Sequence, residues 1–476
     1  MEIIKENQVV IIGAGISGLT TAFWLKKAGI DVTVLEKNGD PGGSMESQRV
    51  NGYLFDRGPN SGLDITPLLQ ILVNELNLKD ELVYSSSKGD TRYILRGGEL
   101  HPLPMKPLAL LKSKLFSFGA KMRLLGEPFI GRSKDGYYQS VAQFVERRLG
   151  REFLDYVINP FVSGVYAGCP EDLSVASAFP KLYELEEKYG GLIKGSILSL
   201  KERKSKAKKS KQSAQMFSFI NGMQTLPKSL ATKLGSSVNL LTDVISVRRE
   251  GDLFEIDCNN AGSPKTIKTK CLISTVPAYS SSKLFQTIAP ESQNHFDAIY
   301  HPSVLVVLAG FKKSDIKRPV DGFGFLIPEK ENKSFLGSIW SSVLFPGRAP
   351  KDSECFTLFI GGARNPKFVN QETSVLISKA LEEFKEIMGI TAEPDFLSHR
   401  FWSKAIPQYN IGYIEHEHYF DELENKIPGL FISGNFRGGI SVGDCLINSE
   451  IVANKIKKYL KIPPIEDGKK KSIAIV

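Results

Sequence analysis

Cysteine, histidine and long apolar runs are all scarce in this chain. Five cysteines occur in 476 residues: Cys169, Cys258, Cys271, Cys355 and Cys445. None belongs to a CxxC pair or stands at metal-ligand spacing from a histidine, so no metal site is expected. The odd count and wide spacing point to reduced thiols in a cytosolic protein. The six histidines offer little for acid–base work. His295, His301 and His399 lack the carboxylate or glycine-elbow context of a catalytic triad, and His416 and His418 flank Glu417 in a polar stretch that reads as surface loop. Apolar runs such as Val304 to Phe311 are too short to span a bilayer. Met1 precedes a charged stretch and then a strand-like run, with no cleavable signal between them. These absences exclude a transmembrane protein, a disulfide scaffold and a hydrolase built on a triad.

Charge is not scarce. Charged residues make up 24% of the chain and hydrophobic ones 42%, an ordinary globular balance that over this length supports two or three domains. The net charge of +9 suits either plain solubility or attraction to a polyanionic ligand or an anionic membrane. Nucleic acid is not among the partners expected.

Residues 9–36 read as a strand–turn–helix–strand unit: Val9 to Ile12 as a buried parallel strand, Gly13 to Gly18 as the turn, Leu19 to Lys27 as the helix, and Val32 to Leu35 as the second strand. Residues 64–80 carry helical spacing, and Gly97-Gly98 between short apolar runs marks a hairpin over 92–105. From 106 to 200 the pattern is mostly helical. Lys201 to Lys211 reads KERKSKAKKSK, with almost no apolar residue, and is expected to be a mobile loop. Strands are expected at Val238–Leu241, Val244–Val247, Phe254–Asp257 and Leu272–Ser274, then a mostly antiparallel sheet over 301–363, an amphipathic helix over 371–388, and a strand, glycine-rich turn and long helix over 430–460.

Gly13-Ala14-Gly15-Ile16-Ser17-Gly18 is a GxGxxG that follows a buried strand, opens a helix and is followed by Glu36 at the end of the next strand. That context makes it a dinucleotide fingerprint. Gly13 permits the tight turn and Gly15 lets backbone approach the pyrophosphate at the helix N-terminus. Gly18 allows close helix–strand packing, and Glu36 accepts hydrogen bonds from the ribose.

The continuation resembles the flavin amine oxidase superfamily, which makes FAD the expected dinucleotide. A paired glycine, Gly42-Gly43, follows the ribose acid, then comes FDRGPNS, and the chain closes with Leu430 to Asn435 and Gly438 to Cys445. Ser44 stands where many members have arginine. The closing helix start would set N–H groups against the flavin O2. Across nearly its whole length the chain is further similar to oxygen-dependent protoporphyrinogen oxidases. The similarity lies in RYILRGGELHPLP, NPFVSGVYAGCPEDLSVASAFPKLYELE, INGMQTLPKSL, GFGFLIP, LGSIWSSVLFPGRAP, IPQYNIGY and GNFRGGISVGDC, with Tyr413 where histidine is common.

The resemblance implies a Rossmann-like FAD-binding domain (α/β), a mixed-sheet α+β substrate domain and a helical membrane-associating insertion. The expected segments are 1–85, 213–280 and 406–462 for FAD, 86–105 for a substrate hairpin, 106–212 for the insertion, 281–405 for substrate, and 463–476 for a disordered basic tail. It implies six-electron oxidation of protoporphyrinogen IX in three flavin turnovers, with O2 as acceptor and no side-chain base. It also implies non-covalent FAD, peripheral contact with the inner face of the cell membrane, and ferrochelatase or a second copy of the chain as candidate partners. Carried over as substrate contacts are Arg92 to a propionate, Gly164 leaving room for the macrocycle, Phe323, Gly324 and Leu326 as its wall, and Ile339 and Phe359 as apolar contacts. Cofactor contacts carried over are the 13–18 turn, Glu36, Lys37, Gly43, Ser44, Gly58, Pro59, Asn60, Ser61, Val244, Trp402, Ile440, Ser441 and Val442. Lys106, Lys112, Lys114, Lys121 and Arg123, interleaved with Leu108, Leu110, Leu111, Leu115, Phe116 and Phe118, suit an interfacial segment on anionic lipid. The competing readings are coproporphyrinogen III oxidase, an amine oxidase or carotenoid desaturase, and a flavin-binding chaperone without catalysis.

Overall fold

The computed structural model describes residues 4–7, 9–206 and 214–462. Five parallel strands form one sheet in the order Val238–Asn239, Val32–Leu35, Val9–Ile12, Leu272–Ser274, Leu430–Ile432. The central strand explains the arrangement. Its four β-branched residues are all buried, and alternation sends Val9 and Ile11 into one core and Val10 and Ile12 into another. The first core is closed by the helices Ile16–Lys27, Thr225–Leu234 and Val442–Tyr459. The second takes in Phe254 and Ile256 from an antiparallel meander, Thr242–Glu250, Leu253–Asn260 and Ser263–Thr269, together with Phe144, Phe285 and Phe296.

A second, seven-stranded sheet runs in the order Phe396–Trp402, Val304–Lys312, Ser353–Gly361, Phe335–Ile339, Gly324–Leu326, Arg92–Arg96, Glu99–Pro102. Every pairing is antiparallel except that of Gly324–Leu326 with Arg92–Arg96. Leu305, Val307, Phe325 and Leu358 face the helix Thr373–Met388, whose Leu381 and Phe384 complete that core. The opposite face carries a smaller core, Val304, Val306, Leu308 and Cys355 with Tyr53 and Phe55, and beyond it the half-buried Leu326 and Ile339. The expected class of α/β dinucleotide fold with a mixed sheet is what forms.

Several local expectations are corrected. The first helix begins at Ile16, inside the glycine turn, because its opening N–H groups need no partner within the helix. The 64–80 helix is Pro67–Glu75, capped by Thr66, whose hydroxyl accepts from the Leu68 N–H. Leu241 leaves the strand with φ +52°. His416 and His418 stand on the helix Tyr413–Lys426, not in a loop, and His416 packs edge-on to His295. The stretch beginning at Lys201 continues the helix Leu192–Lys206 instead of opening a loop. Lys, Arg, Glu and Ala are all good helix formers, and Glu202 pairs with Lys188 at 2.8 Å. Residues 207–211 and 463–476 lie outside the described residues. Of the segment read as interfacial, Leu115 and Phe116 are buried, and the side chains of Leu108 and Leu111 are outside the described set. No helix among the described residues is long and apolar enough to cross a membrane.

Candidate active site

The glycine turn builds a cradle from backbone. A side chain on Gly18 would put its Cβ 2.0 Å from the Gly13 carbonyl oxygen, so only glycine lets this helix start lie on the turn. The paired-glycine loop packs onto it: the Gly42 N–H donates to the Ala14 carbonyl at 2.9 Å, and Gly42 holds φ +135°. Above Gly15 the space is open, with nothing within 4 Å of where a Cβ would stand, and no side chain caps the Ile16–Lys27 helix. An uncovered helix N-terminus beside open space fits a pyrophosphate. Glu36 is buried next to it, its carboxylate accepting from the Ala14 N–H at 2.8 Å and from the Asn38 backbone and side-chain N–H at 2.9 and 2.8 Å. Lys37, Gly43 and Ser44 are exposed at the rim. Val244 enters from the meander, whose Thr242 N–H donates to the Glu36 carbonyl at 2.8 Å.

The closing turn reaches the same sheet edge. Ser449, two turns into the last helix, donates to the Ser17 carbonyl at 3.0 Å, packing that helix against the start of the first one. The Ser441 side chain is engaged in a capping box with Asp444, so what this helix offers a ligand is the N–H groups of its first turn, near Val442. Two tyrosines hold the turn, and sequence reasoning missed the part they play. The Tyr409 hydroxyl donates to the Asn435 carbonyl at 2.8 Å and accepts from the Gly439 N–H at 2.9 Å, while that of Tyr413 donates to the Phe436 carbonyl. Burial pushes both phenols well above their usual pKa, so they remain donors.

The predicted substrate residues of the seven-stranded sheet lie on the face opposite the Thr373–Met388 helix. Register places Arg92, Gly324, Ile339 and Thr357 in one row, and Ile94, Leu326, Gly337, Phe359, Val306 and Arg400 in the next. Alternation along each strand puts both rows on the same side. Leu326, Ile339 and Phe359 are only half-buried there, whereas Phe325 and Leu358 on the other side are buried. Phe323 lies under the Arg92 guanidinium, 5.2 Å from it. Among the described residues no carboxylate pairs with Arg92. Gly164 comes over this wall from the helix Asn159–Tyr166, but the room beside it is taken by Leu326, whose methyl lies 2.4 Å from where a Cβ would be.

The two halves meet at Asn60. The Thr357 hydroxyl donates to the Asn60 side-chain amide oxygen at 3.3 Å and lies 2.9 Å from the Ser341 hydroxyl, and the Asn60 side-chain N–H donates to the Gly58 carbonyl at 3.2 Å. Pro59 and Ser61 flank it, and Trp402 donates to the Arg57 carbonyl at 2.8 Å. Below this junction Asp56 and Arg348 form a buried ion pair, joined by the Met223 N–H at 2.9 Å and by Ser218 at 2.5 Å. Neither partner was singled out from the sequence, because a pair separated by 292 positions has no local signature.

The model of the flavin containing amine oxidoreductase family matches residues 16–457. Protoporphyrinogen oxidase 2 of Arabidopsis thaliana is 34% identical, the alignment covering 97% of this chain and 96% of that protein. Coproporphyrinogen III oxidase of Bacillus subtilis is 26% identical over 96% and 99%. A crystal structure from Exiguobacterium sp. 255-15 superposes with a TM-score of 0.79 at 22% identity, covering 96% of this chain and all of that one, which is a likeness of fold. The chain therefore belongs to the flavin containing amine oxidoreductase family, it is an oxidoreductase, and FAD is its cofactor.

Proposed function

We propose that this protein oxidises protoporphyrinogen IX to protoporphyrin IX, passing six electrons in three rounds to O2 and releasing hydrogen peroxide. The observation that carries the reading is Arg92, a half-buried arginine without a carboxylate partner among the described residues, at the rim of an apolar wall. A flat ring with few carboxylates suits such a face. FAD, when bound, supplies the acceptor for hydride from a meso carbon, and the difficult electronic step belongs to it. The protein's own contribution is positional. Arg92 holds one propionate through paired N–H···O bonds, Phe323, Leu326, Ile339 and Phe359 exclude water from the ring faces, and Thr357 fixes Asn60 between wall and cofactor. No side chain on this face serves as a base in this scheme.

Coproporphyrinogen III, with four propionates, would ask for more cations than this face supplies. Two further arginines of the face are already committed: Arg400 to Glu46 at 3.1 Å while it stacks on Trp402, and Arg96 to Glu152 at 2.7 Å. The deciding assay follows porphyrin fluorescence with each porphyrinogen under air. Protoporphyrinogen IX should give the higher kcat/KM; a clear preference for coproporphyrinogen III would overturn the substrate assignment. FAD is held without a covalent tether, so acid precipitation should release all the yellow colour.

The helical segment docks on anionic lipid. The helix Phe118–Leu125 buries no residue, and it exposes Phe118 (78%), Met122 (51%) and Leu125 (55%), one face at i, i+4 and i+7, with Phe129 (91%) just beyond. Lys121 and Arg123 lie on the same helix. Flotation with phosphatidylglycerol vesicles should carry the protein up, and equal negligible binding to these and to neutral vesicles would end the idea.

A further inference from the structure

The exposed helix and the strand that carries Arg92 are joined by a short polar chain. Ser117, which caps the Phe118–Leu125 helix through the Ala120 N–H, donates its N–H and its hydroxyl to Glu152 at 2.9 and 2.5 Å. Glu152 accepts in turn from the Arg96 guanidinium at 2.7 Å. Arg96 also donates to the Leu115 carbonyl and lies 4.0 Å over the Tyr156 ring. Burial works against the charge on Glu152, yet the bonds from Ser117 and Arg96 hold its carboxyl below the usual range. Beside this chain sits a small core of Ile94, Leu115 and Phe116, against which Leu326 of the wall also packs. Arg92, Ile94 and Arg96 alternate onto one face of one strand, so Arg96 stands about 13 Å along the backbone from Arg92.

We propose that lipid docking of the Phe118–Leu125 helix tightens porphyrinogen binding, with Glu152 and Arg96 as the positioning residues that carry the effect to the Arg92 hairpin. This rests on the substrate and docking readings above. An eight-residue helix with nothing buried is marginal in water, and what else holds it is Ala120 against the small core and Arg123, which donates to the Arg147 and Arg148 carbonyls. Lipid contact removes Phe118, Met122 and Leu125 from water and orders the helix. Ordering fixes Ser117, Ser117 fixes Glu152, and Glu152 holds Arg96 and so the hairpin end. Substrate affinity rises by as much as the hairpin was undocked before, about threefold to tenfold for a competent state populated at one third to one tenth.

The test uses the FAD-loaded full chain with phosphatidylglycerol vesicles, reading hydrogen exchange of the helix and hairpin peptides without substrate, and KM for protoporphyrinogen IX. In the natural protein both peptides should slow and KM should fall by that factor. Glu152→Gln should keep the helix slowing but lose the hairpin slowing and the change in KM. Arg96→Lys should act in the same direction with the fold less disturbed, and it replaces Glu152→Gln if that variant does not load FAD. A helix slowed by vesicles without any change in the hairpin overturns the coupling and leaves docking intact. Hairpin slowing that persists in both variants also overturns it. No slowing of either peptide removes the docking reading and this proposal together.

Discussion

Arg92 offers an unusually clean separation between folding and binding. Its guanidinium makes no ion pair within the described residues, and its one aromatic contact is Phe323 at 5.2 Å. Removing it therefore strands no buried carboxylate, and the folded state should lose only a cation–π contact worth about 0.5–1 kcal/mol at a partly exposed site. A propionate paired with it, by contrast, would lose a charge-assisted bond of about 1.5–3 kcal/mol, which is roughly a tenfold to 150-fold fall in kcat/KM. Arg92→Ala should thus unfold in urea near the natural midpoint, retain its yellow colour and lose one to two decades of kcat/KM by porphyrin fluorescence. Arg92→Lys should recover part of that loss, since an ammonium keeps the charge but cannot form the planar fork. A variant with undiminished kcat/KM toward both porphyrinogens would make Arg92 a rim charge without a part in binding and refute the assignment. A variant that lost FAD would show instead that the hairpin supports the cofactor.

Asp56→Asn leaves Arg348 buried without its counter-charge, a loss of about 3–5 kcal/mol, and the urea midpoint should fall accordingly; a double change to Asp56→Leu with Arg348→Met should cost less than either single one, and strict additivity would disprove the coupling. Gly18→Ala forces Cβ onto the Gly13 carbonyl, so the protein should purify colourless or fail to accumulate, whereas a normally loaded variant would contradict the packing described. His301 is buried with its Nδ1 bonded to the Ile299 carbonyl at 2.8 Å, and burial, partly opposed by that bond, brings its pKa down to about 4. A folded pKa below the unfolded value near 6.5 means that the unfolded chain binds the extra proton between those limits. The contribution of His301 is then whole above pH 6.5 and is lost as pH falls toward 4, by about 3 kcal/mol in all. His301→Gln should flatten the fall in melting temperature between pH 7 and pH 5, and an unchanged slope would assign that fall to other groups.

Much of the dinucleotide half was legible because its signals are local. Val9 to Ile12, the glycine turn and Glu36 lie within one stretch of chain, and each residue's requirement is a matter of backbone conformation or strand burial. The spacing in GxGxxG already implies the helix start, and the structure only moved its first residue to Ile16. The half-buried wall was not legible in that way. Leu326, Ile339 and Phe359 are apolar residues in apolar strands, and nothing local separates them from Phe325 or Leu358, which are buried. Only the register among Gly324–Leu326, Phe335–Ile339 and Ser353–Gly361 decides which of them face away from the Thr373–Met388 helix, and a shift by one residue would exchange the two sets. Leu115 and Phe116 make the same point from the other direction, since amphipathic composition could not tell the two that plug a small core from the Phe118 that faces outward. The Asp56–Arg348 pair and the Ser117–Glu152–Arg96 chain were invisible for a related reason. Ion pairs and hydrogen bonds act over a few ångströms in space, and the positions they join lie 292, 35 and 56 residues apart along the chain. The sequence alone therefore determined the elements and the cofactor class, whose physics is local, while tertiary structure decided which side of each element meets a ligand, which depends on neighbours that only folding brings together.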